Sequence, residues 1–248
     1  MFKHRIDEAV APSVYLDWLL LSFLAGSINA GGYLACGRFV SHVTGFATLF
    51  GIGMAKHQWV SGLGLLSVPL FFLSGVMLSA FLVDRRFHKN PKNYSLVMAL
   101  AGFSLLLVTV MGYFNFFVVF GHSGTINEEY VLLILLSFAS GLQNAAISTA
   151  SGATLRTTHL TGMITDLGIS VTHVLYPYTA KQSKTKEQRA NKLRIGSLLS
   201  FCLGSVVAAI LFLHIHYLGF LLPTLIAFYA AIKGYLQAKG LSRVGEAG

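Results

Sequence analysis

The sequence predicts an all-α integral membrane protein with about six transmembrane helices and two re-entrant or broken helices, arranged as two inverted-topology repeats. Three observations lead to this prediction: long apolar runs, basic residues concentrated in alternate loops, and a sequence that repeats itself. The composition of the 248 residues agrees, because hydrophobic residues make up 54% and charged residues only 11%. A soluble domain carries roughly 25% charged residues, so this chain lacks the polar surface of a soluble protein.

Other classes of protein do not fit the composition. The 19 phenylalanines exclude a disordered chain, and two cysteines, Cys36 and Cys202, are too few for a disulfide scaffold. A β-barrel would show short alternating segments rather than apolar runs of about 20 residues. The net charge of +9 lies in short loops between apolar runs, which is typical of membrane orientation. We therefore expect the lipid bilayer as a partner and no nucleic acid.

Six apolar segments are long enough to cross the bilayer, since a helix needs about 20 apolar residues to do so. Two further segments, Ser41–Ala55 and Thr158–Tyr176, are apolar but rich in Thr, His and Gly. They predict either re-entrant loops or single crossings broken in two. The six predicted spans are Tyr15–Ala35, Val60–Val83, Tyr94–Phe117, Tyr130–Ala150, Ile195–Leu213 and Gly219–Tyr235.

The distribution of basic residues favours six crossings over eight. With six crossings, 15 of the 18 Lys and Arg residues lie at the termini and in loops on one side of the membrane. With eight crossings, the basic residues between positions 85 and 92 move to the other side. Because Lys and Arg are enriched in cytoplasmic loops, the sequence predicts a multi-pass protein with both termini in the cytoplasm.

The chain contains an internal repeat. Residues 21–30 read LSFLAGSINA and residues 136–145 read LSFASGLQNA, which are identical at six of ten positions. Residues 41–51, SHVTGFATLFG, match residues 158–168, THLTGMITDLG, at His, Thr, Gly, Thr and Gly. The sequence is therefore built from two copies of one unit.

We predict a single membrane domain over residues 1–248, with one repeat at 12–120 and the other at 128–238. Each repeat makes three crossings, an odd number, so the second copy is inverted relative to the first. Inverted repeats with interrupted helices are the architecture of many secondary transporters, whose sites lie near the bilayer midplane at the repeat interface.

This architecture favours a secondary transporter or channel-like carrier of a small polar or anionic solute. The alternative is a non-transporting structural or sensory membrane protein whose repeated motif only packs helices. No nucleophile is evident beside the histidines and Asp166, so we do not expect an enzyme. Association into a homo-oligomer is left open by the sequence.

Asn29 and Asn144 occupy the same position in the two copies, and each lies 14 residues into its predicted span. A side-chain amide in hydrocarbon needs a hydrogen-bonding partner. Two interpretations stay open for this pair: the amides join neighbouring helices, as polar residues do in membrane bundles, or they bind a solute.

The repeated motif places a histidine at the start of each equivocal segment, with Ser41 and Thr158 as predicted N-caps. Helix starts inside the membrane would direct free N–H groups and positive dipole ends at an anion or at the electronegative part of a neutral solute. Histidine at membrane depth is uncommon and often functional, although a neutral His bonded to Thr or a backbone carbonyl would be purely structural. The predicted binding residues are Asn29, Ser41, His42, Thr44, Gly45, Asn144, Thr158, His159, Thr161 and Gly162.

Asp166 aligns with Leu49 and so breaks the symmetry of the repeat. It follows His159 by seven residues, about two turns, which predicts one shared helix face. A buried carboxylate can be protonated reversibly, so Asp166 is the predicted coupling group for protons or cations. The alternative is a carboxylate in a water-lined vestibule, paired with Arg156 or His173. Two histidines and one carboxylate are an incomplete metal-binding set, and we expect no metal and no cofactor.

The stretch GSINAGGYLACGRFVSHVTG at residues 26–45, with TTHLTGMITDLG at 157–168, resembles the bacterial YoaK-type membrane proteins. That family is defined by a domain of unknown function. The resemblance covers residues 12–238 and implies a bacterial inner-membrane protein of six or so spans, without an established activity. The family commonly carries Asn directly after the first Thr-Gly, where this chain has Phe46.

Overall fold

The computed structural model describes residues 12–83, 93–117, 119–122, 126–152, 157–176 and 184–245, and all regular structure in these ranges is helical. The prediction of an all-α protein is therefore confirmed. The helices are α1 (Pro12–Cys36), α2 (Val43–Ala55), α3 (Trp59–Leu65), α4 (Ser67–Val83), α5 (Asn93–Tyr113), α6 (Ile126–Ala150), α7 (Leu160–Leu175), α8 (Lys184–Ile215) and α9 (Leu221–Gly245), with a 3₁₀ turn at His216–Phe220.

Five helical stretches of the described chain are long and apolar enough to cross a membrane. Four of them correspond to one predicted span each, and the fifth, Glu187–Lys239, contains 53 residues. A continuous helix of that length would extend roughly 80 Å, more than twice the hydrocarbon thickness. The positive φ of 49° at His216 and the 3₁₀ turn that begins there divide it into α8 and α9. Each of the six predicted apolar segments is therefore helical over most of its length.

The two equivocal segments form the helices α2 and α7, of 13 and 16 residues. Both are apolar but too short to cross a bilayer alone. Glycines at positions 31 and 32 do not end α1, which continues to Cys36. They instead admit neighbouring side chains, because a Cβ on Gly31 would collide with the Phe212 ring and one on Gly32 with Val40.

Four glycines bring helices of different copies into backbone contact. A Cβ on Gly26 of α1 would collide with the Phe201 carbonyl of α8, and one on Gly204 of α8 with the Phe23 carbonyl of α1. Each of these glycines follows its helix's phenylalanine by three residues. Small residues of this kind allow membrane helices to approach closely enough to pack backbone against backbone.

The same contact recurs between α4 and α6. A Cβ on Gly75 of α4 would collide with the Phe138 carbonyl of α6, and one on Gly141 of α6 with the Phe72 carbonyl of α4. The two tightest helix pairs, α1 with α8 and α4 with α6, therefore use one Phe-x-x-Gly motif on all four helices. Exchanging the two copies of the repeat converts one pair into the other.

The helices of each glycine-linked pair run parallel. In the α1–α8 pair, Tyr15 Oη donates to the Lys192 carbonyl at 3.0 Å, and further along both helices Ser205 Oγ donates to the Gly26 carbonyl at 3.2 Å. In the other pair, Gly64 before α4 lies against Tyr130 at the start of α6. A Cβ on Gly75 would lie 3.0 Å from the Leu142 nitrogen further along both chains.

Equivalent helices of the two copies run in opposite directions. Along α1 and α6, Gln143 Nε2 donates to the Leu21 carbonyl, whereas the later residue Gly32 of α1 lies near the earlier residue Leu136 of α6. Along α5 and α9, Gly102 lies near Phe228 and Gly112 near the earlier residue Tyr217. An inverted repeat requires these relative directions, whereas eight crossings would make α1 and α6 parallel.

The glycine contacts predict which small-residue positions stabilise the fold. We expect Gly26→Ala or Gly141→Ala to lower the free energy of unfolding by about 1–3 kcal/mol, because the added methyl group forces two backbones apart. Gly168→Ala is the matched control, since its Cβ would meet no atom within 4 Å. That change should be neutral or stabilising by up to about 1 kcal/mol. Unfolding of the purified protein in detergent measures both effects, and equal stabilities of all three variants would contradict the packing role.

Candidate functional site

A cavity of about 600 Å³ lies between the two copies of the repeat. Its wall is built from corresponding residues of both copies, and it brings together eight of the ten residues predicted to bind solute. Two phenylalanines of the glycine contacts complete the pairs. The paired lining residues are Asn29 with Asn144, Ser41 with Thr158, His42 with His159, Val43 with Leu160, Thr44 with Thr161, and Phe72 with Phe201; Phe39 also contributes.

Asn29 and Asn144 fix the loops that lead into the short helices. Ser41 Oγ donates to Asn29 Oδ1 at 3.2 Å. In the second copy, the Thr158 backbone N–H and Thr157 Oγ1 both donate to Asn144 Oδ1 at 3.4 Å. The partner of each amide oxygen therefore comes from its own copy, in the loop that leads to α2 or α7.

The depth of these asparagines follows from the helix bounds. Asn29 lies seven residues before the end of α1, and Asn144 six residues before the end of α6. At 1.5 Å per residue, each lies roughly 10 Å from its helix end. Because α1 and α6 are antiparallel, the two amides approach the centre from opposite ends, and the cavity occupies the space between them.

The N-caps of the short helices are His42 and His159, not the predicted Ser41 and Thr158. The helices begin one residue later than expected because the hydroxyl of Ser41 and the backbone N–H of Thr158 are bound to the asparagines. The residue before each histidine is thereby held outside the helix. The histidine then occupies the last non-helical position.

Gly45 and Gly162 lie behind the histidines rather than on the cavity wall. A Cβ on Gly45 would lie 2.6 Å from His42 Nδ1, and one on Gly162 would collide with His159 Nδ1. The glycines therefore allow each imidazole to lie over the first turn of its own helix. The His-x-Thr-Gly motif thus specifies the position of the ring, and the glycine's part in it is steric.

Asp166 lies beside α8 rather than on the cavity wall. Its Oδ2 is 3.9 Å from Arg194 Nη2, and its side chain is 58% exposed. His173 does not pair with it, because His173 Nδ1 lies 3.6 Å from Glu187 Oε1. Arg156, the other predicted partner, lies outside the described residues. The role of Asp166 in coupling stays a prediction.

The contact between α7 and α8 is polar, whereas its counterpart in the first copy is not. Ser170 Oγ of α7 donates to Glu187 Oε2 of α8 at 3.3 Å, and Asp166 Oδ2 of α7 lies 3.9 Å from Arg194 Nη2 of α8. In the first copy, a Cβ on Gly53 of α2 would lie 3.1 Å from the Cα of Gly62 of α3. Close glycine packing therefore takes the place of charged groups on that side.

Within the described residues, no group of three or more His, Cys, Asp and Glu side chains is placed to hold a metal ion. The cavity wall instead combines neutral polar groups with apolar ones. Phe72 and Phe201 were missed in the sequence, although the tetrapeptides FLSG and FCLG that contain them follow the FLAG and FASG of the first helices. A search for this four-residue pattern throughout the chain would have found them.

Comparisons with known proteins agree with a membrane assignment. The family model described as "Protein of unknown function (DUF1275)" matches residues 18–233. The transmembrane protein YoaK of Bacillus subtilis (strain 168), also described as UPF0700, is 25% identical over 193 residues, which cover 77% of this chain and 80% of that protein. No solved structure matches the chain significantly.

Proposed function

The chain belongs to the DUF1275 family of transmembrane proteins, and we propose that it is a secondary transporter or channel-like carrier of a small polar or anionic solute. One observation carries the proposal: the two His-x-Thr-Gly motifs, 117 residues apart, converge on a single cavity. The solute would bind in this cavity at the interface of the repeats.

The alternative, a structural or sensory protein whose motif only packs helices, explains less of the molecule. The Phe-x-x-Gly motif accounts for the packing of the two tightest helix pairs. The His-x-Thr-Gly motif does not pack helices, because His42, Thr44, His159 and Thr161 are exposed. Polar side chains at membrane depth are expensive, so residues with no packing role are best explained by a solute or water pathway.

We infer that α2 is re-entrant rather than half of a broken crossing. Asn29 binds Ser41, so the chain that leaves α1 at Cys36 has returned by about 10 Å when α2 begins. The far end of α2 packs against α3 through Gly53 and Gly62. The α3–α4 segment is antiparallel to α1 and so starts on the side where α1 ends. The chain therefore enters and leaves the membrane on the same side.

The second copy gives the same inference for α7 from the opposite side. Asn144 binds the loop before α7, and the end of α7 contacts the start of α8 through His173 and Glu187. Since α8 runs parallel to α1, it starts at the face that holds the N-terminus. The two short helices thus reach the cavity from opposite faces, which gives a solute a route to each side.

We place the protein in the bacterial inner membrane with both termini in the cytoplasm. Reporter fusions after Gly248 and within residues 121–129 should report opposite sides, because 15 of the 18 basic residues lie on the side of the termini. Alkaline phosphatase and green fluorescent protein fusions at both points measure this. Identical sidedness at the two points would exclude the six-span inverted arrangement.

The cavity histidines predict the effect of mutations on flux. Purified protein in proteoliposomes should exchange radiolabelled solutes from a panel of small anions and neutral amino acids. His42→Ala and His159→Ala should each reduce that flux by roughly tenfold or more, because each removes a group that faces the solute. His214→Ala is the matched control, since His214 lies on α8 with its Nδ1 at 2.7 Å from the Ile210 carbonyl.

Absence of protein-dependent flux across the whole panel, for a protein shown to be folded and inserted, would contradict the transport proposal. Equal flux through the wild type and both cavity variants would place the pathway elsewhere in the molecule.

We also propose Asp166 as the coupling group, because it is the one acidic residue in the sequences of α2 and α7. Asp166→Asn should abolish solute accumulation driven by a proton gradient while preserving exchange. Its free energy of unfolding should change by only about 0–1 kcal/mol, because the Asp166 carboxylate is 58% exposed and its Oδ2 lies 3.9 Å from Arg194 Nη2. Glu187→Gln is the control carboxylate on α8. Normal accumulation by a folded Asp166→Asn protein would eliminate the coupling role.

A further inference from the structure

We infer that the cavity selects a small monovalent anion over cations, dianions and neutral solutes. The inference rests on the proposed function and narrows its solute class. It is drawn from the orientation of the hydrogen-bonding groups on the cavity wall rather than from the presence of the cavity alone.

The two asparagines supply donors to the cavity. The Oδ1 of Asn29 is occupied by Ser41, and the Oδ1 of Asn144 by the Thr158 N–H and Thr157 hydroxyl. An amide has one oxygen acceptor and two N–H donors. Both amide oxygens are bonded to their own loops. A solute in the cavity can therefore accept hydrogen bonds from the Nδ2 groups of the two asparagines.

The two histidines also supply donors. Nδ1 of His42 and of His159 lies over the first turn of its own helix, against Gly45 and Gly162. Neither imidazole caps its helix through a side-chain hydrogen bond, and an imidazole carries at least one N–H donor in every tautomer. Each ring therefore brings at least one N–H donor to the cavity, which both histidines line.

The helix starts set the charge that the cavity can accommodate. No Lys, Arg, Asp or Glu lies among the described residues of the cavity wall. Arg38, the described arginine nearest to His42 in the sequence, has its Nε 3.9 Å from Glu129 Oε2. Each helix N-terminus carries the equivalent of roughly half a positive charge. Two of them balance about one negative charge, which fits a monovalent anion.

The apolar part of the wall determines the free-energy cost of removing water from an ion that enters the cavity. Phe72 and Phe201 face each other's copy across the cavity, with Phe39, Val43 and Leu160 beside them. An ion that enters gives up water on these apolar surfaces, and the cost rises steeply with charge. A cation would in addition be repelled by the positive ends of the two helices. Nitrate, formate and similar weakly hydrated anions therefore fit better than sulfate.

Isosteric substitutions test this inference. Asn29→Asp and Asn144→Asp keep the oxygen that the loop uses but replace the Nδ2 donor with a negative charge. We expect each change to weaken nitrate binding by at least about tenfold, because a donor is lost and a like charge is placed beside the anion. The matched control is Asn191→Asp, because Asn191 is an asparagine that lies outside this cavity, where its Oδ1 accepts from Arg194.

Isothermal titration of the full-length protein in nanodiscs measures binding, with sodium nitrate, sodium formate, sodium sulfate, potassium gluconate and glycerol as probes. The expected result is saturable binding of nitrate or formate and at least about tenfold weaker binding of sulfate. Nitrate binding should be weakened in both cavity variants but not in Asn191→Asp. Should an Asn→Asp protein not fold, Thr161→Val removes one lining hydroxyl without changing shape or charge and should weaken nitrate binding several-fold.

Three results would overturn the inference: no saturable binding of either monovalent anion by folded protein, equal binding of sulfate or glycerol, or nitrate binding unchanged in the cavity variants. These are distinguishable from failure of the proposed function. Anion binding without flux in proteoliposomes would retain the site and contradict transport. Flux of a neutral amino acid without anion binding would retain transport and overturn the anion selectivity.

Discussion

Four glycine contacts between helices of different copies are the constraint on which the rest of the structure depends. Gly26 meets the carbonyl of Phe201, and the same Phe201 places its side chain on the cavity wall. Asn29 lies three residues, nearly one turn, after Gly26. The glycine contact therefore fixes the depth at which an amide of one copy faces a phenylalanine of the other. Gly141, Asn144 and Phe72 repeat this arrangement.

At this depth there is little water, so the polar groups of the backbone and side chains must form hydrogen bonds with one another. This need determines how they are arranged. The amide oxygens of Asn29 and Asn144 accept hydrogen bonds from the loops before α2 and α7. Without these bonds, the donors in the loops would be unpaired. Binding the loop holds His42 and His159 just outside their helices. The hydrogen bonds that the loops require thus place the amide donors, the imidazoles and the helix starts around one cavity.

The pseudo-symmetry fails where α7 meets α8. Leu49 and Gly53 of α2 correspond to Asp166 and Ser170 of α7, and Gly62 of α3 corresponds to Asn191 of α8. Glycine packing depends on close van der Waals contact, which salt and pH leave unchanged. The ion pair between Asp166 and Arg194 has an exposed carboxylate, so it contributes little and is screened by salt. The two short helices are therefore held by interactions of different strength and different sensitivity to solvent.

The sequence by itself determined the helical membrane class, the six apolar segments, the repeat and most of the residue pairs that line the cavity. Apolar length and loop charge are local responses to the bilayer, and so they can be read from one segment at a time. Only the tertiary structure decided the partners of Asn29 and Asn144, the position of the N-caps and the placement of Asp166 beside Arg194. Lipid is as apolar as the helix surfaces, so which faces meet depends on close packing between distant segments rather than on hydrophobicity.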